Sequence, residues 1–275
     1  MDDLVSTEWL ADKLGQPDLI AVDSSLFMAG SGRDARAEYF AAHIPGARFL
    51  DIEELSDKAN PVPHMLPSAD IFGAAMAALG IGRNERIVVY DNSPLRSAAR
   101  GWFMLRHFGA GSVAILDGGL QKWIAEGRPV ESGAPAPRQG SFEAVERAAE
   151  VVGKSAITAG IAVIDARGKA RFEGSEPDPR PGVAAGHIPG ARNLPFVSLY
   201  KGDCTFRGRD EIAEIFAATG VDPHVPFVAT CGSGVTANSL IFAAHLLGND
   251  ATRLYDGSWS EWGADPSTPK QTGPA

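Results

Sequence analysis

A cysteine near the C-terminal end of the chain lies in a short loop with two glycines. The stretch Cys231–Thr236 reads Cys-Gly-Ser-Gly-Val-Thr; the apolar run Val225–Ala229 precedes it and a predicted amphipathic helix over Asn238–Leu247 follows it. Glycines allow the backbone N–H groups of such a loop to converge on an anion at the start of a helix. A thiolate in this ring of donors is stabilised, and so is any anion formed on the sulfur. The stretch therefore predicts a nucleophilic cysteine rather than a small buried hydrophobic residue, the common role of a free cysteine.

The bulk composition limits the class of protein. A chain of 275 residues predicts two domains of about 100–150 residues each, and its net charge of −9 argues against nucleic acid or a membrane as partner. Cys204 and Cys231 are its two cysteines, so the sequence predicts neither a disulfide framework nor a zinc site. Because no apolar run approaches the ~20 residues that cross a bilayer and no signal segment begins the chain, we expect a cytoplasmic protein.

Helices and strands are predicted to alternate along the first half of the chain. The periodicity and the capping residues predict helices over 6–14, 68–80 and 96–108 and strands over 19–23, 87–91 and 113–116. A further short helix carries Trp123. This alternation is typical of an α/β fold, in which helices flank a parallel sheet.

The second half repeats the first. His187–Arg192 repeats His43–Arg48 residue for residue, and Asp256-Gly257 answers Asp117-Gly118 at a nearly constant offset. Matching blocks in one order indicate a duplicated domain. A stretch rich in Pro, Gly and Ser follows the first half, so we predict an N-terminal domain over 1–130, a linker region over 131–150 and a C-terminal domain over 151–275.

The duplication fails at the cysteine. The first half ends the equivalent strand in Tyr90-Asp91 and has no thiol there. We therefore expect the C-terminal domain to be catalytic and the first domain to be catalytically inactive. Because His43 and His187 occur in both halves alike, we interpret them as structural, each making a hydrogen bond within the fold.

The two His-Ile-Pro-Gly-Ala blocks and the cysteine loop together carry a family resemblance. The chain resembles the tandem-domain, rhodanese-type sulfurtransferases, and its loop resembles the 3-mercaptopyruvate branch. The resemblance implies two tandem rhodanese-like α/β domains and a Cys231 persulfide. Sulfur would leave 3-mercaptopyruvate as pyruvate is released, and would pass to a thiol acceptor such as thioredoxin or to cyanide. Neither a metal nor another cofactor is expected.

Site residues follow from the resemblance. Arg171 and Arg180 would bind the donor carboxylate, for which paired guanidinium donors are suited. Ser233, His64 and Glu53 would form a relay that deprotonates the donor thiol, although the family usually has aspartate at the position of Glu53. Beside the catalytic cysteine, the loop would contact the substrate through four further residues: Gly232, Gly234, Val235 and Thr236.

Other interpretations remain open from the sequence. The arginines could be solvated surface charges, and His64 an ordinary surface histidine. A cysteine phosphatase would need an arginine six residues after the cysteine, where Ala237 stands. A sulfur carrier without turnover is a second rival. The third is thiosulfate:cyanide sulfurtransferase, whose loop has basic residues where Gly232 and Ser233 are neutral. The physiological acceptor, the oligomeric state and a redox role for Cys204 are not predicted.

Overall fold

The computed structural model describes residues 1–157 and 161–275, and its chain forms two compact units. The first unit comprises Met1–Asp57, Leu66–Arg147 and Lys201–Phe206, and the second comprises Lys58–Met65, Ala148–Tyr200 and Arg207–Ala275. Two short segments therefore belong to a different unit from their neighbours in sequence. The predicted linker region divides at Arg147, and its first part belongs to the first unit.

The first unit contains a parallel sheet of five strands, in the order β1-β5-β4-β2-β3 within the described residues. Its elements in chain order are β1 (Leu4–Val5), α1 (Thr7–Lys13), β2 (Leu19–Asp23), α2 (Ala35–Ala41), β3 (Arg48–Phe49), α3 (Ile52–Leu55), α4 (Ala69–Ala78), β4 (Arg86–Tyr90), α5 (Ala98–His107), β5 (Ser112–Leu116) and α6 (Gly119–Ala125).

The second unit repeats this topology, with the strand order β6-β10-β9-β7-β8 in the part of the chain that the structure describes. Its elements are β6 (Val151–Val152), α7 (Lys154–Ile157), β7 (Val163–Asp165), α8 (Lys169–Glu173), β8 (Arg192–Asn193), α9 (Arg209–Ala218), β9 (Val228–Thr230), α10 (Ala237–Leu246), β10 (Arg253–Tyr255) and α11 (Ser258–Trp262), with 3₁₀ turns at Ala148–Glu150 and Phe196–Leu199.

Local sequence determines several of these elements. The side chains of Ser6 and Ser68 accept hydrogen bonds from the first turns of α1 and α4, as the capping pattern predicts. The predicted strand Leu19–Asp23 is β2, and all five of its residues are buried, as expected for a central strand of a parallel sheet. The α/β prediction is thus confirmed. The short elements α2, α3, β1 and β3 were not predicted, because two to seven residues carry too little periodicity.

Helix α10, which follows the cysteine loop, is not amphipathic as predicted. Nine of its ten residues are buried, and only His245 is partly exposed. A helix that is apolar on every side is a core helix. The N-terminus of α10, where the loop ends, is therefore fixed by packing on all sides.

The two histidines that precede Ile-Pro-Gly have the same structural role in both units. His43 stacks on Tyr39 and its Nδ1 lies 2.9 Å from the carbonyl oxygen of that residue. His187 stacks on Phe172 in the same way, with 2.8 Å between Nδ1 and the Phe172 carbonyl oxygen. Both histidines are buried. The structural interpretation of this pair is confirmed.

The first part of the predicted linker packs closely on the first unit. Phe142 is buried and its ring meets that of Phe72 edge to face, with 5.6 Å between centroids. A side chain at Gly140 would collide with the backbone of Gly80 and Ile81. This segment is thus ordered by close backbone contact, which composition alone does not reveal.

None of the helices in the described ranges has the length and apolar character that crossing a bilayer requires. The cores of the two units consist of the sheet residues and the aromatic side chains packed on them. Trp259 and Trp262 belong to the core of the second unit.

Two buried aspartates at the ends of equivalent strands have different partners. Asp165, at the end of β7, forms an ion pair with Arg167, with 2.6 Å between Oδ2 and Nη2. Asp23, at the end of β2, instead accepts a hydrogen bond of 2.9 Å from the backbone N–H of Ser25. Burial raises the pKa of Asp23 to about 7, although the hydrogen bonds from Ser25 oppose the rise. Among the described residues, the carboxyl group at this position of the first unit thus has no paired countercharge.

We expect Asp23→Asn to stabilise the protein at high pH. The folded state retains the Asp23 proton up to about pH 7, whereas the unfolded chain releases it near pH 3.8, so wild-type stability falls as the pH rises through this window. Asparagine keeps an accepting oxygen and carries no charge. Urea unfolding should therefore show a gain over wild type that is roughly 2 kcal/mol larger at pH 8 than at pH 5.

Asp165→Asn is the matched control. It leaves Arg167 as a buried charge without its partner, so it should destabilise the protein by roughly 3 kcal/mol at both pH values. If the stability of Asp23→Asn relative to wild type were the same at pH 5 and pH 8, the pKa of Asp23 would not be raised in the folded protein.

Candidate active site

The cysteine loop connects β9 to α10 and is held by the segment that follows β10. Cys231 is 1% exposed. The backbone N–H groups of Cys231 and Gly234 both donate to the hydroxyl oxygen of Ser258, at 3.1 Å each, and this hydroxyl donates to the Tyr255 carbonyl oxygen at 2.8 Å. The carbonyl oxygen of Cys231 accepts from the Trp259 backbone N–H at 3.0 Å. These hydrogen bonds fix the loop at both ends.

Ser258 holds an unusual backbone conformation. Its φ is +49°, in the left-handed region that favours glycine, and its side chain is fully buried. The equivalent residue of the first unit is Gly119, with a φ of +59°. A serine in this conformation costs of the order of 1 kcal/mol. In the second unit this strain is offset by the two hydrogen bonds that the Ser258 hydroxyl accepts from the backbone N–H groups of Cys231 and Gly234.

Gly234 lets the loop turn close to the end of β10. Its φ is +74°, and a Cβ built on it would lie 2.6 Å from the carbonyl oxygen of Asp256. Any side chain would have to displace that backbone.

The hydrogen bonds of Ser258 also affect the predicted ring of N–H donors. Ser258 occupies two N–H groups of the loop, and in the described part of the chain no protein acceptor bonds the backbone N–H groups of Gly232, Ser233, Val235 and Thr236.

Two guanidinium groups lie over the residue that follows the cysteine. A Cβ built on Gly232 would be 2.9 Å from Nη2 of Arg180 and 3.4 Å from Nη2 of Arg171. The Nη1 of Arg180 also donates to the Gly232 carbonyl oxygen at 2.6 Å and bonds the hydroxyl of Ser260. The structure therefore brings both predicted carboxylate-binding arginines to the loop, and Gly232 leaves room for them.

A buried carboxylate joins the two arginines. Asp178 accepts from Nη2 of Arg171 at 2.7 Å and from Nε and Nη2 of Arg180 at 2.8 and 2.9 Å. Burial alone would raise the pKa of Asp178, but the hydrogen bonds from Arg180 and then Arg171 outweigh it and lower the pKa to about 2. Asp178 is therefore ionised at any pH at which a thiolate exists.

His64 and Ser233 are in contact. Nδ1 of His64 lies 2.8 Å from Oγ of Ser233, and both residues belong to the second unit. His64 has a φ of +62°, which histidine tolerates better than most residues. The structure thus brings together two of the three predicted relay members, although they are far apart in sequence.

Glu53 lies in α3 of the first unit, in its first turn, and is exposed. Its role in the relay stays a prediction.

Cys204 lies in a turn of the first unit, where its thiol donates to the side-chain oxygen of Gln121 at 2.8 Å.

The equivalent loop of the first unit begins with Asp91 in place of the cysteine. The carboxylate accepts from the backbone N–H of Ser93 at 2.8 Å and from that of Ala98 at 2.7 Å. Burial raises the pKa of Asp91, and these two hydrogen bonds oppose the rise. The side chain itself occupies the donors at the beginning of α5. An external anion would have to displace it.

Residues in the described ranges form no group of three or more His, Cys, Asp or Glu side chains that could hold a metal ion. Sequence reasoning missed three residues that shape the site: Asp178, Ser258 and Ser260. A signal existed for Ser258, since the repeat replaces a glycine of the first half by serine there. Asp178 lies two residues before the predicted ligand Arg180, but a spacing of two residues does not show which side chains meet.

Comparison with known proteins agrees with this description. The family model of the rhodanese-like domain matches residues 6–126 and again residues 148–265. Human 3-mercaptopyruvate sulfurtransferase is 41% identical over 271 residues, which cover 94% of this chain and 91% of the human one. Thiosulfate sulfurtransferase of Bos taurus is 39% identical over 272 residues, with coverage of 94% and 91%.

A solved structure shows the same fold. The crystal structure of SseA from Escherichia coli, one of the 3-mercaptopyruvate sulfotransferases, superposes with a TM-score of 0.86 at 38% identity, and the match covers 95% of this chain and 100% of that one. The chain therefore belongs to the rhodanese family. It carries two rhodanese-like domains in tandem, as the duplication predicts.

We expect substitutions of Ser258 to separate strain from function. Ser258→Ala and Ser258→Gly both leave the N–H groups of Cys231 and Gly234 without their acceptor, so each should lower kcat/KM about ten- to hundred-fold. The glycine variant relieves the left-handed strain and should be about 1 kcal/mol more stable than the alanine variant. Steady-state kinetics and thermal unfolding measure the two effects. Full activity in the glycine variant would show that the hydroxyl does not hold the loop.

Proposed function

We propose that the chain is a 3-mercaptopyruvate sulfurtransferase whose Cys231 carries the transferred sulfur as a persulfide. The observation that carries this proposal is the placement of two guanidinium groups over Gly232, next to the cysteine. A carboxylate that binds these groups would present the rest of a small donor to the thiol of Cys231. The family membership and the human relative support the same activity.

The first half-reaction transfers one sulfur atom. The thiolate of Cys231 attacks the sulfur of 3-mercaptopyruvate, an S–S bond forms, and the C–S bond of the donor breaks with its electron pair going to carbon. The resulting enolate takes up the proton that the donor thiol loses, and pyruvate leaves. The loop N–H groups of Gly232, Ser233, Val235 and Thr236 are suited to stabilise the negative charge on the outer sulfur.

The second half-reaction restores the cysteine. An acceptor thiol attacks the outer sulfur and becomes a persulfide, while Cys231 leaves as thiolate. Cyanide would attack the same sulfur and leave as thiocyanate. A thiol acceptor such as thioredoxin and a cytoplasmic location are parts of this proposal that rest on the sequence interpretation.

The two arginines differ in the donors that they have left for a substrate. Of the five N–H donors of Arg180, four already bond Asp178, Gly232 and Ser260. Arg171 uses one donor for Asp178, and its buried Nε has no acceptor among the residues described. Arg171 is therefore the main carboxylate ligand, and Arg180 chiefly braces the loop.

His64 and Ser233 are the groups that handle the donor proton. With Nδ1 of His64 unprotonated, the hydroxyl of Ser233 donates to it and can in turn accept from a donor thiol. Such a relay raises the fraction of donor that reacts as thiolate. It is not needed when cyanide attacks a persulfide that has already formed.

Thiosulfate:cyanide sulfurtransferase is the alternative. It would form the same persulfide and release sulfite. The relative from Bos taurus is named thiosulfate sulfurtransferase. The site favours a carboxylate donor because its two guanidinium groups lie over Gly232, beside the cysteine, and paired guanidinium donors are suited to a planar carboxylate. Side-by-side kcat/KM values for the two donors distinguish these activities.

Mass spectrometry tests the reaction class. After addition of 3-mercaptopyruvate without acceptor, we expect the peptide that contains Cys231 to gain the mass of one sulfur, about 32 Da, and pyruvate to appear in equal amount. Cys231→Ser should show neither product. Cys204→Ser is the matched control and should retain both. Sulfur on Cys204 alone would contradict the assignment.

We expect Ser233→Ala and His64→Asn to slow the first half-reaction only. Asparagine tolerates the left-handed backbone of position 64, so the loop should keep its shape. With 3-mercaptopyruvate, kcat/KM should fall about 10²-fold, since a positioned acid–base group contributes about 10²- to 10⁴-fold. Cyanide should discharge the preformed persulfide at the wild-type rate in single-turnover experiments. Equal slowing of both halves would exclude a relay.

A further inference from the structure

Asp178 is the charged group of the site that the proposed reaction leaves without a role. Its side chain is 1% exposed, and each oxygen accepts from a guanidinium group. It also accepts from the backbone N–H of Arg180 at 3.1 Å. A carboxylate so placed fixes the planes of both Arg171 and Arg180, and it also changes the net charge that a donor meets.

The charge of this cluster can be counted. Arg171 and Arg180 carry one positive charge each and Asp178 one negative charge, so the three groups sum to +1. The donor 3-mercaptopyruvate with its thiol protonated is a monoanion, whereas thiosulfate is a dianion. Both would lie within a few ångströms of the guanidinium groups, where one unit of charge changes the interaction strongly.

We propose that Asp178 is a positioning and specificity-determining residue: by holding the arginine pair at a net charge of +1, it favours a monoanionic mercapto acid over a dianionic sulfur donor. The proposal rests on the proposed function. Specificity is a difference between two binding free energies. The negative charge of buried Asp178 repels dianionic thiosulfate more strongly than monoanionic 3-mercaptopyruvate. Thiosulfate remains chemically competent, because attack by Cys231 would form the same persulfide and release sulfite.

The test is the ratio of kcat/KM for thiosulfate to that for 3-mercaptopyruvate, with cyanide as acceptor. Asp178→Asn keeps the shape of the side chain and raises the cluster to +2, so the ratio should rise about ten-fold or more. Asp178→Glu keeps the charge, and its ratio should stay within about three-fold of wild type. Glu176→Gln is the matched control, since it removes the same charge from an exposed side chain two residues away.

The outcomes separate the alternatives. If Asp178→Asn slows both donors equally, Asp178 is only a brace and the proposal is wrong. A changed ratio in Glu176→Gln would also overturn it, since general charge rather than the cluster would then set the preference. The ratio is informative whichever donor the wild type prefers. Failure of the proposed function would instead show as absence of a Cys231 persulfide in the wild type with 3-mercaptopyruvate.

A second variant covers the case in which Asp178→Asn does not fold. The double variant Asp178→Asn/Arg180→Gln removes one charge of each sign, so Arg171 alone gives the cluster +1 without an unpaired buried group. Its rates should fall for both donors, but its ratio should return to within about three-fold of wild type. A ratio raised ten-fold in this double variant would show that net charge does not determine the preference.

Discussion

The active-site loop depends on the hydrogen bonds that bind it to the segment after β10. Ser258 accepts from the backbone at Cys231 and Gly234, and the carbonyl oxygen of Gly232 accepts from both the backbone and the side chain of Ser260. These bonds use the inner polar groups of the loop, and its N–H groups at Gly232, Ser233, Val235 and Thr236 have no protein acceptor among the described residues. Because glycine has more backbone freedom than other residues, a glycine-rich loop without these hydrogen bonds would adopt several conformations.

The first unit shows how the same backbone behaves without the chemistry. There the bond from Leu120 to the Asp91 carbonyl oxygen persists, matching that from Trp259 to Cys231. Gly119 takes the place of Ser258, and the Asp91 carboxylate accepts from the loop itself. The duplicated fold thus closes its loop in two ways: with the side chain of Asp91 in one unit, and with the neutral hydroxyl of Ser258 in the other.

Sequence reasoning predicts the parts of this structure that are encoded locally. The buried run of β2 and the cap of α4 at Ser68 follow from periodicity and side-chain chemistry, and the repeat predicts a common topology. The burial of α10 on all sides could not be predicted in this way, because a short sequence of a buried helix resembles that of an amphipathic surface helix. The contacts of Asp178 with both arginines depend on how a loop folds back, and no spacing rule encodes that path.

The donor preference shows how a correct expectation can have an incomplete physical reason. The neutral pair Gly232-Ser233 suggests a site with little positive charge, yet two guanidinium groups lie over Gly232. The charge that a basic loop residue would supply comes from Arg171 in α8 and from Arg180 in the segment that follows this helix. The absence of a side chain at Gly232 is therefore a steric requirement, because the two guanidinium groups occupy the space that a side chain would fill. What limits the attraction for a dianion is the buried carboxylate of Asp178, which binds both arginines and cancels half of their charge.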